Sequence, residues 1–160
     1  TTLLNNDNVP QMVKNAAKSF LVQCYTGLRY SDISILTWAD IKEGYVSTQT
    51  EKTKEIIYIP LPAKAKIIIG DPGPNNEKIF KVPSNQKYND HLKLVAMYAN
   101  IDKNITSHVA RHTFAIISIE LGIPIEVISK ILGHKTLKTT KVYAQIVNPV
   151  IDNYMKRWDL

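Results

Sequence analysis

The sequence predicts an α+β domain, predominantly helical, with one small antiparallel β-sheet. Three features lead there. Apolar residues recur at helical period through most of the chain, the spacing at which a helix buries one face. Residues 45–60 depart from that period and carry short runs of β-branched and aromatic residues. Gly and Pro fall between the periodic stretches, where the chain must turn.

Asn8 followed by Pro10 reads as a helix start, helical spacing runs on to about Cys24, and Gly27 is the stop. Ser31, Asp32, Ile33, Leu36 and Trp38 then predict a short second helix that turns Ile33 and Leu36 inward. YVSTQ and EIIYI, separated by the polar EKTK, predict a hairpin over residues 45–60, ended by Pro60 and Pro62. A third short strand is expected near residues 79–82, around Ile79 and Phe80. GDPGPNN, residues 70–76, has too much Gly and Pro for regular structure and reads as a surface loop. Beyond Ser84 the pattern is helical, with breaks near residues 100–106, 122–124, 133–135 and 148–149. In SHVARHTFAIISIELG, residues 107–122, Ala110, Phe114, Ile117 and Leu121 fall on one side of a helix, the side expected to be buried. His108, Arg111, His112 and Ala115 fall on the other. No repeat, low-complexity tract or linker divides the chain, so residues 1–160 are expected to form one domain.

The chain has 160 residues, 44% of them apolar or aromatic, enough for a core of its own. Twenty Lys and Arg against fourteen Asp and Glu give a net charge of +6, which favours a polyanionic partner without identifying one. The kind of base is more informative: seventeen are Lys and three are Arg, at 29, 111 and 157. Sparing use of Arg suggests that it stands where a rigid two-pronged donor is needed, as at a phosphate. Cys24, the single cysteine, sits among Val13, Ala16, Ala17, Phe20 and Leu21 at helical spacing and reads as a small core residue. The first residues lack the order of a signal peptide, and no apolar run approaches the ~20 residues that cross a bilayer; a cytoplasmic protein is expected.

Three segments carry candidate chemistry. His108 and Arg111 share the polar face of their helix, where simple solvation is the ordinary reading. A metal reading of His108 and His112 is weaker, because no Glu stands between them and no third ligand is evident. His134 follows Gly133 just past a helix end, where side chains are accessible. Tyr143 lies on the next helix, and a Tyr so placed is ordinarily a half-buried core residue. The third segment, TGLRYSDISILTWADI, residues 26–41, holds Arg29 and Asp32.

Taken together and in order, these segments resemble the tyrosine recombinase, or phage-type integrase, family. That family's pattern has Arg in a TGLR-x-S-acid segment, Lys in a β-hairpin, His-x-x-Arg opening a helix, Leu-Gly-His, and a Tyr about one helix further on. All five parts occur here across residues 26–143. The resemblance implies that Arg29 and Arg111 bind the phosphate, that His108 and His134 are the active-site histidines and that Tyr143 is the nucleophile. It also implies Lys52 as the hairpin lysine, with Lys54 in reserve, because Lys52-Thr53 leads into IIYIPL. Asp32 matches the family's acidic position, and an N-terminal helix charge is its other reading. The chemistry implied is site-specific recombination, integration or excision of mobile DNA, through a 3′-phosphotyrosyl intermediate, with no metal and no cofactor. The fourteen carboxylates, scattered along the chain, fit that expectation.

The partners implied are double-stranded DNA and further protomers of the same protein in a tetrameric synapse. Lys14, Lys18, Lys64, Lys66, Lys130, Lys135, Lys138 and Lys141 are available for sequence-independent phosphate contacts. Val150, Ile151, Tyr154 and Trp158 lie at helical spacing in a C-terminal segment that either packs on its own domain or exchanges onto a neighbouring protomer. The resemblance also implies upstream DNA-binding domains outside this chain. Two rival readings share the residue pattern: type IB topoisomerase-like relaxation, and a catalytically silent DNA-binding module of the same fold.

Overall fold

A computed structural model describes residues 3–49, 56–134 and 136–144. Helix α1 (Gln11–Thr26) starts immediately after Pro10 and stops at Gly27. Gly27 takes a left-handed φ of 68° and donates its N–H to the Gln23 carbonyl at 2.8 Å. The short helix α2 (Tyr30–Ile33) follows, then a 3-10 turn at Trp38–Asp40. Ile33 and Leu36 are fully buried, as their spacing predicts.

The sheet has three antiparallel strands in the order β1 (Ile41–Lys42), β2 (Tyr45–Gln49), β3 (Ile56–Pro60). Val46 pairs with Ile59 and both are buried, while Tyr45, Ile56 and Tyr58 are exposed, the alternation of a sheet with one face on the core. The third strand is thus Ile41–Lys42 and not residues 79–82. There the Ile79 N–H goes to the Leu36 carbonyl, Lys78 makes a single isolated bridge with Thr37, and Phe80 turns into the core. Between β1 and β2 the chain reverses through Glu43 (φ 51°) and Gly44 (φ 84°), a two-residue loop in which both residues take the left-handed conformation.

Helix α3 (Ala63–Ile69) was not foreseen; it begins after Pro62 and ends at Gly70. The Gly/Pro-rich loop leads to α4 (Asn85–Tyr98), α5 (Ser107–Glu120), α6 (Ile125–Ile131) and α7 (Leu137–Ala144). Helix α1 is central, with α3, α4 and α5 packed around it. Its C-terminal half joins the sheet through Val22, Leu28, Ile33, Val46 and Ile59, and its N-terminal half meets α4 through Val13, Ala16, Tyr88 and Leu92. A third cluster, Phe114, Ala115, Ile119, Ile128 and Leu132, binds α5 to α6, and Tyr143 of α7 packs against it.

The buried face of α5 is rotated from the expected one. Ala110, Phe114, Ala115, Ser118 and Ile119 face inward, whereas Ile117 is 45% and Leu121 74% exposed. The rotation arises because α5 is covered on two sides, by α1 and by α6 with α7, so Ala115 lies inside and the Ile117–Leu121 edge does not. No helix among the described residues is long and apolar enough to cross a membrane.

Candidate active site

Arg29 leaves a turn that is pinned from both sides. A Cβ at Gly27 would lie 2.7 Å from Phe114 Cδ1 and 2.9 Å from Leu132 Cδ2, so only glycine lets α1 end this close to α5 and α6. Fully buried Gln23 donates from its amide to the Leu28 carbonyl at 3.1 Å and accepts from the Tyr88 hydroxyl at 2.9 Å. Leu28 is itself buried, so the next side chain has a fixed origin. The Arg29 backbone N–H donates to Asp32 Oδ2 at 3.4 Å, and the same carboxylate oxygen stands 3.9 Å from Arg29 Nη1. Asp32 therefore caps its own short helix and faces the guanidinium, joining the two readings its sequence position left open.

Arg111 comes from α5, whose neighbours Ala110, Phe114 and Ala115 are in the core. Its guanidinium meets Arg29's at the C-terminal end of α6, where Gly133 (φ 58°) reverses the chain. The last carbonyls of a helix have no partner within it. Here the two arginines supply one: Arg29 Nη2 donates to the Leu132 and Gly133 carbonyls, both at 3.0 Å, and Arg111 Nη2 donates to the Leu132 carbonyl at 2.9 Å. Arg111 Nη1 donates to the Gly27 carbonyl. One carbonyl oxygen, that of Leu132, is thus shared by both guanidiniums. The added Cβ of any other residue at 133 would come within 3.4 Å of Arg29 Nη1.

Burial, and after it the charge of Arg29, bring the Arg111 pKa down to about 10, which leaves it charged at neutral pH. His134 lies 3.4 Å from Arg111 Nη2 through its Nε2 and 2.8 Å from the Thr140 hydroxyl through Nδ1; its backbone N–H donates to the Ser129 carbonyl at 3.0 Å. Burial, Arg111 and Arg29 push its pKa down to about 4, so the ring is neutral at pH 7. Since a guanidinium can only donate, Nε2 accepts and the ring proton sits on Nδ1, donated to Thr140. Tyr143, half-buried on α7, has its pKa raised by burial, with the charge of Arg111 acting in the opposite direction by favouring the phenolate. Its ring meets His112 edge to face, with centroids 5.2 Å apart and planes at 60°. Burial, His108 and Arg111 lower the His112 pKa.

The structure therefore brings together Arg29, Arg111, His134 and Tyr143. His108 is exposed on the first turn of α5, one helical turn from His112. Lys52 and Lys54 lie outside the described residues, as do Lys135 and the C-terminal segment. Ile56, just after them in sequence, lines an open groove of about 1110 Å³ together with Tyr58, Lys130, Gly133, His134 and Leu137, so the hairpin strand and the arginine site border one space. Sequence reasoning missed Thr140 and gave His112 no part. The signal for His112 was its place on the Arg111 face of α5; the signal for Thr140 was its position one helical turn before Tyr143.

The profile of the phage integrase family matches residues 1–148. A tyrosine recombinase of Thermosipho africanus is 32% identical over 78% of this chain and 47% of its own length. Tyrosine recombinase XerD of Yersinia pestis is 32% identical over 90% of this chain and 54% of its own length. The chain spans about half the length of the curated relatives it matches. Among solved structures, a variant of the Tn1549 transposon integrase in complex with a circular intermediate DNA superposes with a TM-score of 0.71 at 18% identity, covering 98% of this chain and 62% of that one; this likeness shows the fold. On the match of the family profile over nearly its whole length, the chain belongs to the phage integrase family.

Proposed function

We propose that the chain is the catalytic domain of a site-specific tyrosine recombinase that breaks and rejoins double-stranded DNA, serving integration or excision of mobile DNA. The observation that carries this reading is the pair of guanidiniums meeting on the Leu132 carbonyl, beside His134 and the helix that bears Tyr143. Two forks held side by side match the non-bridging oxygens of one phosphate, over which charge spreads as phosphoryl transfer proceeds.

In this mechanism Tyr143 Oη attacks phosphorus, the Oη–P bond forms and the P–O5′ bond breaks, leaving a 3′-phosphotyrosyl link and a free 5′ hydroxyl. His108 takes the phenol proton, and Lys52 on the hairpin delivers one to the departing 5′ oxygen. Arg29 and Arg111 neutralise the phosphate, and His134 hydrogen-bonds one of its oxygens. Attack by the 5′ hydroxyl of another strand reverses the step, so bond energy is kept in the covalent intermediate. DNA binding is supported by the net charge of +6 and by the DNA held in the similar Tn1549 integrase structure. The reading includes a cytoplasmic location and assembly of several protomers in a synapse, with residues 149–160 reaching a neighbour.

The test uses short nicked duplexes whose phosphate carries an activated leaving group, which lessens the need for Lys52. A denaturant-stable protein–DNA adduct is expected, and its complete loss in Tyr143→Phe. Binding of the same DNA without any adduct would instead mark a silent binding module and overturn the reading.

A further inference from the structure

We propose that Thr140 is a positioning residue of the site, its hydroxyl holding His134 by Nδ1 in a way that lets Nε2 serve either as an acceptor toward Arg111 or as a donor toward a bound phosphate oxygen. The inference deepens the proposed function and rests on it for the identity of the anion. The geometry comes from the protein alone.

Thr140 is fully buried, and its Oγ1 lies 2.8 Å from His134 Nδ1. The backbone of His134 is held at the α6 terminus, where its N–H bonds the Ser129 carbonyl. Nε2, on the far side of the ring from Thr140, faces Arg111 Nη2. In the free protein the neutral ring must therefore carry its proton on Nδ1, with Thr140 accepting. A phosphate oxygen entering beside Arg111 reverses the demand on Nε2, because it offers lone pairs and no proton. The ring then meets it with Nε2–H and turns Nδ1 into an acceptor. That step moves one proton between the two ring nitrogens, through solvent, with no net uptake.

A carbonyl or carboxylate at the position of Oγ1 would face the bare Nδ1 lone pair to lone pair, and a backbone N–H could not serve the free state. A hydroxyl serves both by rotating about its C–O bond. The depressed basicity of His134 is consistent with this, since it keeps the ring neutral, the form in which the two tautomers exist. Thr140 also precedes Tyr143 on α7 by three residues, so the same bond ties the helix of the nucleophile to the histidine.

The test compares Thr140→Val, which keeps the shape and removes the hydroxyl, with Thr140→Ser, which restores it. In the full chain, nitrogen-15 NMR of the His134 ring should show the proton on Nδ1 in the wild type and a changed tautomer balance in Thr140→Val, with Thr140→Ser close to wild type. Adduct formation with the activated nicked duplex should slow on the order of tenfold in Thr140→Val, the scale of one lost hydrogen bond, and recover in Thr140→Ser, while DNA affinity and melting temperature stay near wild type. Wild-type cleavage by Thr140→Val, or unchanged ring shifts, overturns the proposal. If the wild type forms no adduct the functional reading fails, and the ring shifts still decide the role of Thr140. Should Thr140→Val fold poorly, Thr140→Ala judged by the same ring shifts replaces it.

Discussion

Leu132 enters the site through its backbone oxygen, and that explains why the arginines converge where they do. Its side chain is buried with Phe114 and Ile128, which fixes the carbonyl that Arg29 and Arg111 share. Burial of the ring, and after it the charges of Arg111 and Arg29, have a measurable consequence at His134. Below the ordinary imidazole pKa of 6.5 the unfolded chain takes up a proton at this residue, whereas the folded site refuses it down to about pH 4. Proton uptake by the unfolded state alone draws the equilibrium toward unfolding. Stability should therefore decline as pH falls from 6.5 toward about 4, and this residue contributes no slope outside that window. In His134→Gln the fall in melting temperature across the same window should be shallower, and an unchanged slope would show that burial and the arginines do not hold the ring neutral.

At the scale of elements, the site depends on how closely α1, α5 and α6 approach at Gly27. Ala there combines a left-handed φ with an overlap against the buried ring of Phe114 and the buried Leu132 side chain. Gly27→Ala is expected to cost about 2–4 kcal/mol, read as a lower urea midpoint, and to weaken phosphate binding because Arg29 shifts with its turn. A midpoint within error of wild type would show that the approach is looser than these distances. The elements that were legible in the sequence are those bounded by residues with a physical reason to stop a helix: Gly27 after α1, Gly122 and Pro124 between α5 and α6, Gly133 after α6. The hairpin was legible from its two β-branched and aromatic runs, the polar stretch between them and its two prolines. Helix α3 was not, because AKAKIII has a β-branched run that local preference does not assign to a helix, and packing of Ala65 decides it. The first strand was missed because two residues leave no period to read; its trace was Glu43-Gly44. In the site, the side chains were legible through the ordered motifs, whereas the Leu132, Gly133 and Gly27 carbonyls that anchor the arginines were not, since every residue has one.

For the whole molecule the question is assembly. Val150, Ile151, Tyr154 and Trp158 stand at helical spacing in the sequence, and in the proposed synapse an apolar face of that kind would suit a neighbouring protomer. Removing residues 149–160 should lower the stoichiometry of the protein on DNA in sedimentation; an unchanged complex would mean that the segment packs on its own domain. The long-range bonds of the arginines carry another consequence, for a protein as it is made. Arg29 binds carbonyls 103 and 104 residues further along the chain, and Arg111 reaches back 84 residues to Gly27. A nascent chain on the ribosome has Arg29 for 103 residues, and Arg111 for 21 residues, before it has the Leu132 carbonyl that both bind. A polypeptide interrupted between residues 111 and 132 therefore carries both arginines without the carbonyl they share.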